Sequence, residues 1–317
     1  MYNRNEKYST REAFGKKLAE LGKNENLVVF DADLSKSTKI DIFAKEFPDR
    51  FFDVGVAEAN MISTAIGAAS EGMIPVTNTF AVFSGRSLDQ IYQGLRGKYH
   101  IIFHFSHSGF VGEDGPSHHG TAAATYLSAV PGMKAVLKPC DAIETEKILE
   151  WAIKENKEAV SILTDRDKTP IFMPDNYKFE LGKAYEVSME GNPDIIIFAT
   201  SPYMIRNSLE AREILKKYDI NTGIINMPTI KPLNEKEILK YAKNVKAIVT
   251  AECSSLRGGL GSAIGRILGE YGIRHKIIGV DENYYGESDK TEKLLMHAGL
   301  DAESIADKIE AFYKKAK

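Results

Sequence analysis

This chain has only two cysteines, no long apolar run and no large excess of positive or negative charge. Each of these features excludes a class of protein. The two cysteines, Cys140 and Cys253, are far apart in sequence, and neither belongs to a Cys-x-x-Cys pair. We therefore expect no zinc site and no disulfide, but free thiols in a reducing compartment. The longest apolar runs, such as residues 195–199, have the length of strands, which excludes a membrane-spanning helix.

The charges are balanced and well mixed, with 41 Lys and Arg against 44 Asp and Glu and a net charge of −3. Nucleic-acid binding needs a clustered basic face, so no such partner is predicted. The first seven residues contain no apolar signal region, and we expect a cytoplasmic protein. With 317 residues, 43% of them hydrophobic, the chain is long enough for two globular domains.

Short apolar runs alternate with amphipathic stretches, a pattern typical of parallel sheets covered by helices on both faces. The predicted strands are 27–30, 74–80, 101–105, 159–164, 195–200, 222–226, 247–251 and 276–279. The predicted helices are 10–21, 58–70, 88–95, 143–155, 204–217, 235–241 and 259–270. Residues 167–176 contain two prolines and no periodicity. We therefore predict an α/β chain of two doubly wound domains, at 1–168 and 186–317, with a linker at 169–185.

Glu58 begins a predicted helix that is rich in alanine, glycine and serine. Side chains this small predict close contact with other elements, so the helix is expected to be buried on most sides. A carboxylate at its N-terminal end has two readings. It is either favourably placed against the helix dipole, or it is an acid–base group held in a poorly solvated site.

Phe80 and Phe83 follow the next predicted strand. They form either an apolar wall for a flat heteroaromatic ring or an ordinary part of the core, and their spacing alone allows both. Arg86 and Asp89 then open a helix, where they can pair with each other.

Residues 109–120 contain four glycines and a proline, so they must turn sharply after the strand at 101–105. Loops at the carboxyl ends of parallel strands are where ligands bind. His118 lies in this turn and can donate a hydrogen bond or carry a proton near neutral pH. A metal site and a plain surface turn remain alternatives, although the spacing matches no metal motif.

These segments resemble the transketolase family, and the resemblance runs essentially from end to end of the chain. Residues 54–61 resemble its G-[IV]-A-E-x-N-M segment, residues 80–90 its F-x-x-F-x-x-R-x-x-D-Q segment, and residues 112–118 its G-x-D-G-P-[ST]-H segment. Residues 251–263 resemble the glycine-rich stretch of its C-terminal domain. The chain looks like the C-terminal half of transketolase, in the form that is split into two polypeptides.

The resemblance implies a thiamine diphosphate enzyme, with a pyrimidine-binding domain followed by a smaller transketolase C-terminal-like domain. Glu58 is implied to hydrogen-bond N1′ of the aminopyrimidine ring and to promote its proton transfers. Phe83 is implied to stack on that ring, with Phe80 behind it and Arg86 beside it. His118 is implied to act as a second catalytic group.

The resemblance also implies a set of residues that hold the sugar phosphate: Arg11, Ser37, His107, Asp114, His118 and Arg166. Guanidinium groups suit a phosphate because they offer paired donors. His107 stands near a position where the family has a histidine or aspartate, and its register is ambiguous by one residue.

The Gly-Asp-Gly…Asn segment, with which such enzymes hold the diphosphate and its metal, is absent from the sequence. The resemblance therefore implies an N-terminal transketolase subunit that holds the diphosphate and Mg²⁺ or Ca²⁺, in a heterotetramer of two chains each. No metal ligand is expected in this chain. The implied reaction, as in the pentose phosphate pathway, moves a two-carbon ketol unit from a ketose phosphate to an aldose phosphate.

Other readings stay open within the same fold. Arg86 stands where transketolases often carry an aromatic residue and 1-deoxyxylulose-5-phosphate synthases carry arginine, so a synthase fragment is one alternative. The beta subunit of an oxo-acid dehydrogenase is another, although the Asp-Gly-Pro-Ser-His turn counts against it. A non-catalytic assembly or regulatory subunit is a third. The turn at 258–261 invites a nucleotide-binding reading, but it lacks the G-x-G-x-x-G spacing, and packing is the preferred interpretation.

Overall fold

The computed structural model describes residues 2–315, so Met1, Ala316 and Lys317, at the ends of the two predicted domains, lie outside the described residues. The strands in chain order are β1 (Leu27–Asp31), β2 (Phe51–Asp53), β3 (Ile74–Phe80), β4 (Ile102–Ser106), β5 (Ala135–Leu137), β6 (Val160–Leu163), β7 (Tyr185–Ser188), β8 (Ile195–Thr200), β9 (Thr222–Asn226), β10 (Thr229–Lys231), β11 (Ala247–Ser255) and β12 (His275–Val280). They form two sheets, in the orders β10-β5-β6-β4-β3-β1-β2 and β12-β11-β8-β9-β7.

Helices connect these strands and cover the sheets. In chain order they are α1 (Thr10–Leu21), α2 (Ser35–Thr38), α3 (Asp41–Glu46), α4 (Glu58–Ser70), α5 (Leu88–Gly94), α6 (Ala123–Ala129), α7 (Ala142–Lys154), α8 (Pro202–Leu215), α9 (Glu235–Ala242), α10 (Leu260–Glu270), α11 (Thr291–His297) and α12 (Ala302–Lys314). The predicted α/β class with two doubly wound units is confirmed.

The longer predicted elements are present, and α1 and α4 have the predicted bounds. The sequence did not predict β2, β5, β7 and β10, because three or four residues are too few to show a periodicity. Two of these short strands also depart from the expected parallel arrangement. At the edges of the two sheets, β10 pairs antiparallel with β5, and β7 pairs antiparallel with β9.

Strand β10 joins the two halves of the chain. It lies within the second predicted domain, yet its register pairs Thr229 with Leu137 in the sheet of the first. The backbone N–H of Lys138 also donates to the carbonyl of Pro228 at 2.8 Å. The division at 1–168, 169–185 and 186–317 stays a prediction, and the second half contributes a strand to the first sheet.

A buried carboxyl group, Glu144 on α7, joins the two halves a second time. It accepts hydrogen bonds from the side chain of Asn226 at 2.8 and 2.9 Å, from the hydroxyl of Tyr177 at 2.5 Å and from the backbone N–H of Cys140 at 2.7 Å. Burial raises the pKa of Glu144 to about 7. Cys140 and Cys253 are both buried free thiols, as predicted.

Asp141 fixes the predicted linker against the first domain. One carboxylate oxygen caps α7 by accepting from the backbone N–H of Glu144 at 2.8 Å. The other accepts from the backbone N–H groups of Phe172 and Met173 at 2.7 and 2.6 Å. Asp301 caps α12, a helix of the same length, through a bond of 3.0 Å from the backbone N–H of Ser304.

The two caps give a matched test. Replacing Asp301 by alanine removes a cap and should cost about 1 kcal/mol of the free energy of unfolding. Asp141→Ala also removes two charge-assisted bonds to the linker, so it should cost about 3 kcal/mol or more. Urea denaturation of the two variants and the parent chain measures both values, and equal losses would contradict the linker role of Asp141.

Candidate active site

The predicted site residues come together at the carboxyl edge of the first sheet. Glu58 follows β2, Phe80 ends β3, Phe83 lies in the turn after it, and the turn with Asp114 and His118 follows β4. The other predicted members, Arg11, Ser37, Arg86, His107 and Arg166, lie on the same edge or at the start of α1. The structure therefore connects all of them in one group.

Glu58 is the first residue of α4 and is 4% exposed. Its carboxylate oxygens lie 3.2 and 3.4 Å from Nη1 of Arg86, whose side chain is 58% exposed. The sequence left open a pair between Arg86 and Asp89, but Arg86 pairs with Glu58 instead.

The expectation that α4 is buried on most sides is wrong for this chain. Its buried residues are Glu58, Met61, Ile62, Ala65 and Ala69, and its exposed residues are Asn60, Ser63, Thr64, Gly67 and Ser70. Two exposed apolar residues, Phe52 and Val56, precede the helix. One whole face of the helix that begins with Glu58 is therefore available for contact.

Two aromatic rings continue the site from Glu58. Phe80 and Phe83 stack with their ring centroids 5.7 Å apart and an interplanar angle of 12°. The guanidinium of Arg86 lies 4.9 Å from the centroid of the Phe83 ring. The imidazole of His118 meets the same ring edge-on at 5.4 Å. Phe83 is only partly buried, so these contacts form an open, flat apolar surface beside a carboxylate.

His107 lies between the aromatic pair and a cation, and its substrate-facing role stays a prediction. Its ring stacks on Phe80 at 3.8 Å, and its Nε2 lies 3.3 Å from Nη1 of Arg11. Burial, with Arg11 and Arg166 nearby, lowers the pKa of His107 to about 2. The backbone of His107 has a φ of 58°, a left-handed conformation that is uncommon outside glycine.

Two guanidinium groups lie close together beside His107. Burial and the nearby charge of Arg166 lower the pKa of Arg11, and Nε of Arg11 is buried without a hydrogen-bond partner. Arg166 donates to the carbonyl of Val111 at 2.6 Å and to Asp114 Oδ2 at 3.0 Å. Ser37 contributes its backbone carbonyl to Arg11, while its side chain is exposed. Clustered cations with an unused donor suit an anionic ligand.

A buried polar network that was not predicted from the sequence supports this edge. The side-chain amide of Asn78, on β3, donates to Asp31 and to Thr38, while its oxygen bonds His104 Nδ1 at 2.7 Å. His104 Nε2 lies 2.9 Å from the hydroxyl of Thr164. Burial raises the pKa of Asp31 to about 6 and lowers that of His104 to about 3. Polar residues inside buried strands were the available signal.

A second buried pair supports the residues that face the site. Lys138 and Asp165 are fully buried, with 3.4 Å between Nζ and Oδ1. Lys138 also donates to the hydroxyl of Ser108 at 3.0 Å. Burial raises the pKa of Asp165 to about 6, although Lys138 opposes the shift. Ser108 and Asp165 directly adjoin His107 and Arg166, so this pair fixes the backbone from which both site residues project.

The glycine turn at residues 258–261 of the second domain is occupied by a carboxylate of the same chain. The buried carboxylate of Glu252 accepts from the backbone N–H groups of Leu260 and Gly261 at 2.9 and 2.7 Å. A Cβ at Gly259 would lie 2.0 Å from that carboxylate. The turn therefore binds an internal anion, and the nucleotide-binding reading gains no support.

Within residues 2–315, no group of three or more His, Cys, Asp or Glu side chains is arranged to hold a metal ion. Over the same residues, every helix is too short or too polar to cross a bilayer. A cleft of about 270 Å³ opens beside Arg166, between the turn at Gly112 and the start of α11 at Lys290 and Thr291. Both domains therefore line the approach to Arg166.

Sequence comparison identifies both halves of the chain. The family profile for the transketolase pyrimidine-binding domain matches residues 6–171, and that for the transketolase C-terminal domain matches residues 182–305. A relative from Methanocaldococcus jannaschii, described as a transketolase C-terminal section, is 39% identical over 312 residues, and 96% of each chain is covered.

Longer relatives match over part of their length. Human transketolase is 35% identical over 99% of this chain and 51% of its own length. The 1-deoxy-D-xylulose-5-phosphate synthase of Caldanaerobacter subterraneus is 35% identical over 98% of this chain and 50% of its own length. The chain thus spans about half the length of these two relatives.

Solved structures share the fold along the whole chain. A structure described as a split gene transketolase, in an inactive β4 tetramer, has a TM-score of 0.86 at 34% identity, over 98% of this chain and 99% of that one. Transketolase from Campylobacter jejuni has a TM-score of 0.80 at 22% identity, over 96% of this chain and 47% of that one. With one family profile over half of its length and relatives above 30% identity along nearly all of it, the chain belongs to the transketolase family and consists of its pyrimidine-binding and C-terminal domains.

Proposed function

We propose that this chain is the cofactor-activating subunit of a two-chain transketolase, which moves a two-carbon ketol unit from a ketose phosphate to an aldose phosphate. One observation carries the proposal: a carboxylate that is 4% exposed, Glu58, shares the contact of Arg86 with the partly exposed ring of Phe83, behind which the buried ring of Phe80 stacks. A buried carboxylate next to an aromatic ring suits a flat ligand ring that contains nitrogen, and few other ligands.

The residues fit thiamine diphosphate. Phe83 offers a ring face for the aminopyrimidine, and Arg86 borders it. Glu58 is the group that holds and moves a proton at N1′ of that ring, and its burial keeps water from competing for the proton. When bound, the cofactor supplies the electron sink that ketol transfer requires.

The arginine cluster supports a sugar phosphate as the substrate. Arg11 and Arg166 provide the positive charge for the phosphate, and the unused Nε of Arg11 provides a donor. His107, whose imidazole is neutral, lies between that charge and the aromatic rings, and Asp114 and His118 contact Arg166 and Phe83 respectively. All three suit the hydroxyl groups of a sugar.

A separate subunit is supported by what the chain lacks and by what it exposes. The diphosphate and metal segment is absent from the sequence. The exposed face of α4, with Phe52 and Val56 before it, adjoins Glu58 and is made of small or apolar side chains. The similar split gene transketolase is described as inactive as a β4 tetramer. We propose that an N-terminal subunit covers this face and holds the diphosphate with Mg²⁺ or Ca²⁺, in a heterotetramer.

One alternative keeps specific support. Arg86 contacts Glu58, and a 1-deoxy-D-xylulose-5-phosphate synthase matches as well as human transketolase, at 35% identity for both. Such an enzyme uses the same surface with pyruvate as the donor. Xylulose 5-phosphate and pyruvate, offered separately to the reconstituted pair, distinguish the two functions.

The chain alone, with thiamine diphosphate and Mg²⁺ added, should show no ketol transfer, because residues 2–315 contain no cluster of side chains that could hold the metal ion. Addition of an N-terminal transketolase subunit should restore turnover. The measurement is the rate of aldose phosphate release from xylulose 5-phosphate with ribose 5-phosphate as the acceptor. Full turnover by the chain without a partner would contradict the two-chain proposal.

Glu58→Gln should lower kcat of the reconstituted enzyme by roughly 100-fold or more, because the proton at the pyrimidine nitrogen then has no acid–base partner. Circular dichroism and thermal unfolding should stay like those of the parent chain. Asp89→Asn, a nearby exposed carboxyl on α5, serves as the control and should leave kcat unchanged. A rate within about tenfold of the parent in Glu58→Gln removes Glu58 from the role.

Arg166→Gln and Arg11→Gln should each raise KM for a ketose phosphate by roughly 10- to 100-fold, since each removes a charged hydrogen bond worth about 1.5–3 kcal/mol. KM for the unphosphorylated ketose should change little. Arg4→Gln, an exposed arginine paired with Asp175 at 3.0 Å, is the matched control. Equal effects on both ketoses would show that the arginines do not bind the phosphate.

A further inference from the structure

The segment of the second domain at residues 284–290 lies directly against the turn that carries Asp114 and His118. The hydroxyl of Ser288 donates to the carbonyl of Glu113 at 2.6 Å. The ring of Tyr284 meets Phe110, at the start of the turn, edge-on at 5.7 Å. The turn is therefore fixed between two domains rather than projecting freely from the first.

His119 makes the central contact between this segment and the turn. Its Nδ1 accepts from the backbone N–H of Val111 at 3.3 Å, and its Nε2 lies 3.0 Å from the carbonyl of Glu287. Since the backbone N–H of Val111 can only donate, Nδ1 carries no proton. Nε2 therefore carries the proton and donates it to Glu287.

The packing around His119 leaves it little freedom. The ring is 7% exposed and meets Phe110 edge-on at 5.2 Å. A Cβ at Gly286 would lie 2.3 Å from Cδ2 of the ring, so the second domain approaches the imidazole with bare backbone. Burial lowers the pKa of His119, which agrees with a neutral ring bonded through both nitrogens.

The bond to Val111 leads directly to the arginine cluster. The same residue gives its N–H to His119 and its carbonyl to Arg166, and Arg166 in turn holds Asp114. The neighbour of His119 in sequence, His118, faces the other way and contacts the ring of Phe83. The imidazole of His119 thus connects the second domain to three residues that face the proposed substrate.

We propose that His119 is a positioning residue, whose neutral imidazole ties the second domain to the Val111 peptide and so sets the geometry of Arg166, Asp114 and His118. The C-terminal domain then takes part in substrate recognition without touching the substrate. Only the kinetic part of this inference rests on the proposed function, because the tie itself is a property of the chain alone.

The test uses two variants whose side chains are similar in size, of which only one can accept a hydrogen bond. His119→Asn retains an oxygen that can accept from Val111, whereas His119→Leu fills the space without any bond. Glu287→Ala is the control, because His119 bonds its backbone carbonyl, and the Glu287 side chain, which lies 3.7 Å from His297, is 60% exposed. Ser288→Ala removes the second tie from an exposed position, where the fold is not at risk.

Amide hydrogen exchange of the full chain is measured first, since it needs neither a partner nor a substrate. Exchange across residues 111–119 should rise by about tenfold or more in His119→Leu, by less in His119→Asn and Ser288→Ala, and not at all in Glu287→Ala. The ¹⁵N signals of the parent ring should show protonated Nε2 and unprotonated Nδ1. Unchanged exchange in His119→Leu, or the opposite tautomer, overturns the tie.

The reconstituted enzyme then tests the consequence for the substrate. KM for the ketose phosphate should rise in the order Glu287→Ala, His119→Asn, His119→Leu, with kcat changed less than KM. If exchange rises in His119→Leu while KM stays constant, the positioning role is wrong. If the parent pair shows no ketol transfer, the proposed function fails, whereas the exchange result still decides whether the tie exists.

Discussion

Polar groups at the carboxyl edge of the first sheet are buried, and each must therefore find a partner inside the protein. This constraint organises the site. Asn78 and His104 bond each other within the sheet, and Lys138 pairs with Asp165 beyond the ends of the neighbouring strands β5 and β6. Asp165 directly precedes Arg166, so this buried pair fixes the backbone from which Arg166 projects. The positions of the candidate site residues therefore depend on these buried hydrogen bonds and on the buried ion pair.

The site built on that support is incomplete along one side. Glu58 is almost fully buried, yet the helix that it begins exposes a face of small residues, and the aromatic surface beside it is open. The guanidinium of Arg86 pairs with the carboxylate of Glu58 and also lies over the ring of Phe83. An arrangement of this kind suits a surface that another polypeptide and a flat ligand complete.

The sequence predicted most of the long elements, and it failed on short elements and on distant pairs. Helix α4 has its predicted bounds, whereas α12, which also has thirteen residues, was not predicted. Strand β10 has three residues and pairs Thr229 with Leu137, which is 92 positions away in sequence (229 − 137), and no local pattern signals such a pair. The contact of Arg86 with Glu58, and the bonds of His119 to two domains, likewise depend on chain folding over long separations. Glu58 and His118 were predictable only through their resemblance to a family.

Strand β10, which the second half of the chain contributes to the first sheet, limits where the chain can be divided into separate polypeptides. A chain that ended after β7 would leave one edge of β5 unpaired, and unpaired strand edges promote association with other chains. The shared sheet thus gives a mechanical reason why these two domains should fold together on one polypeptide.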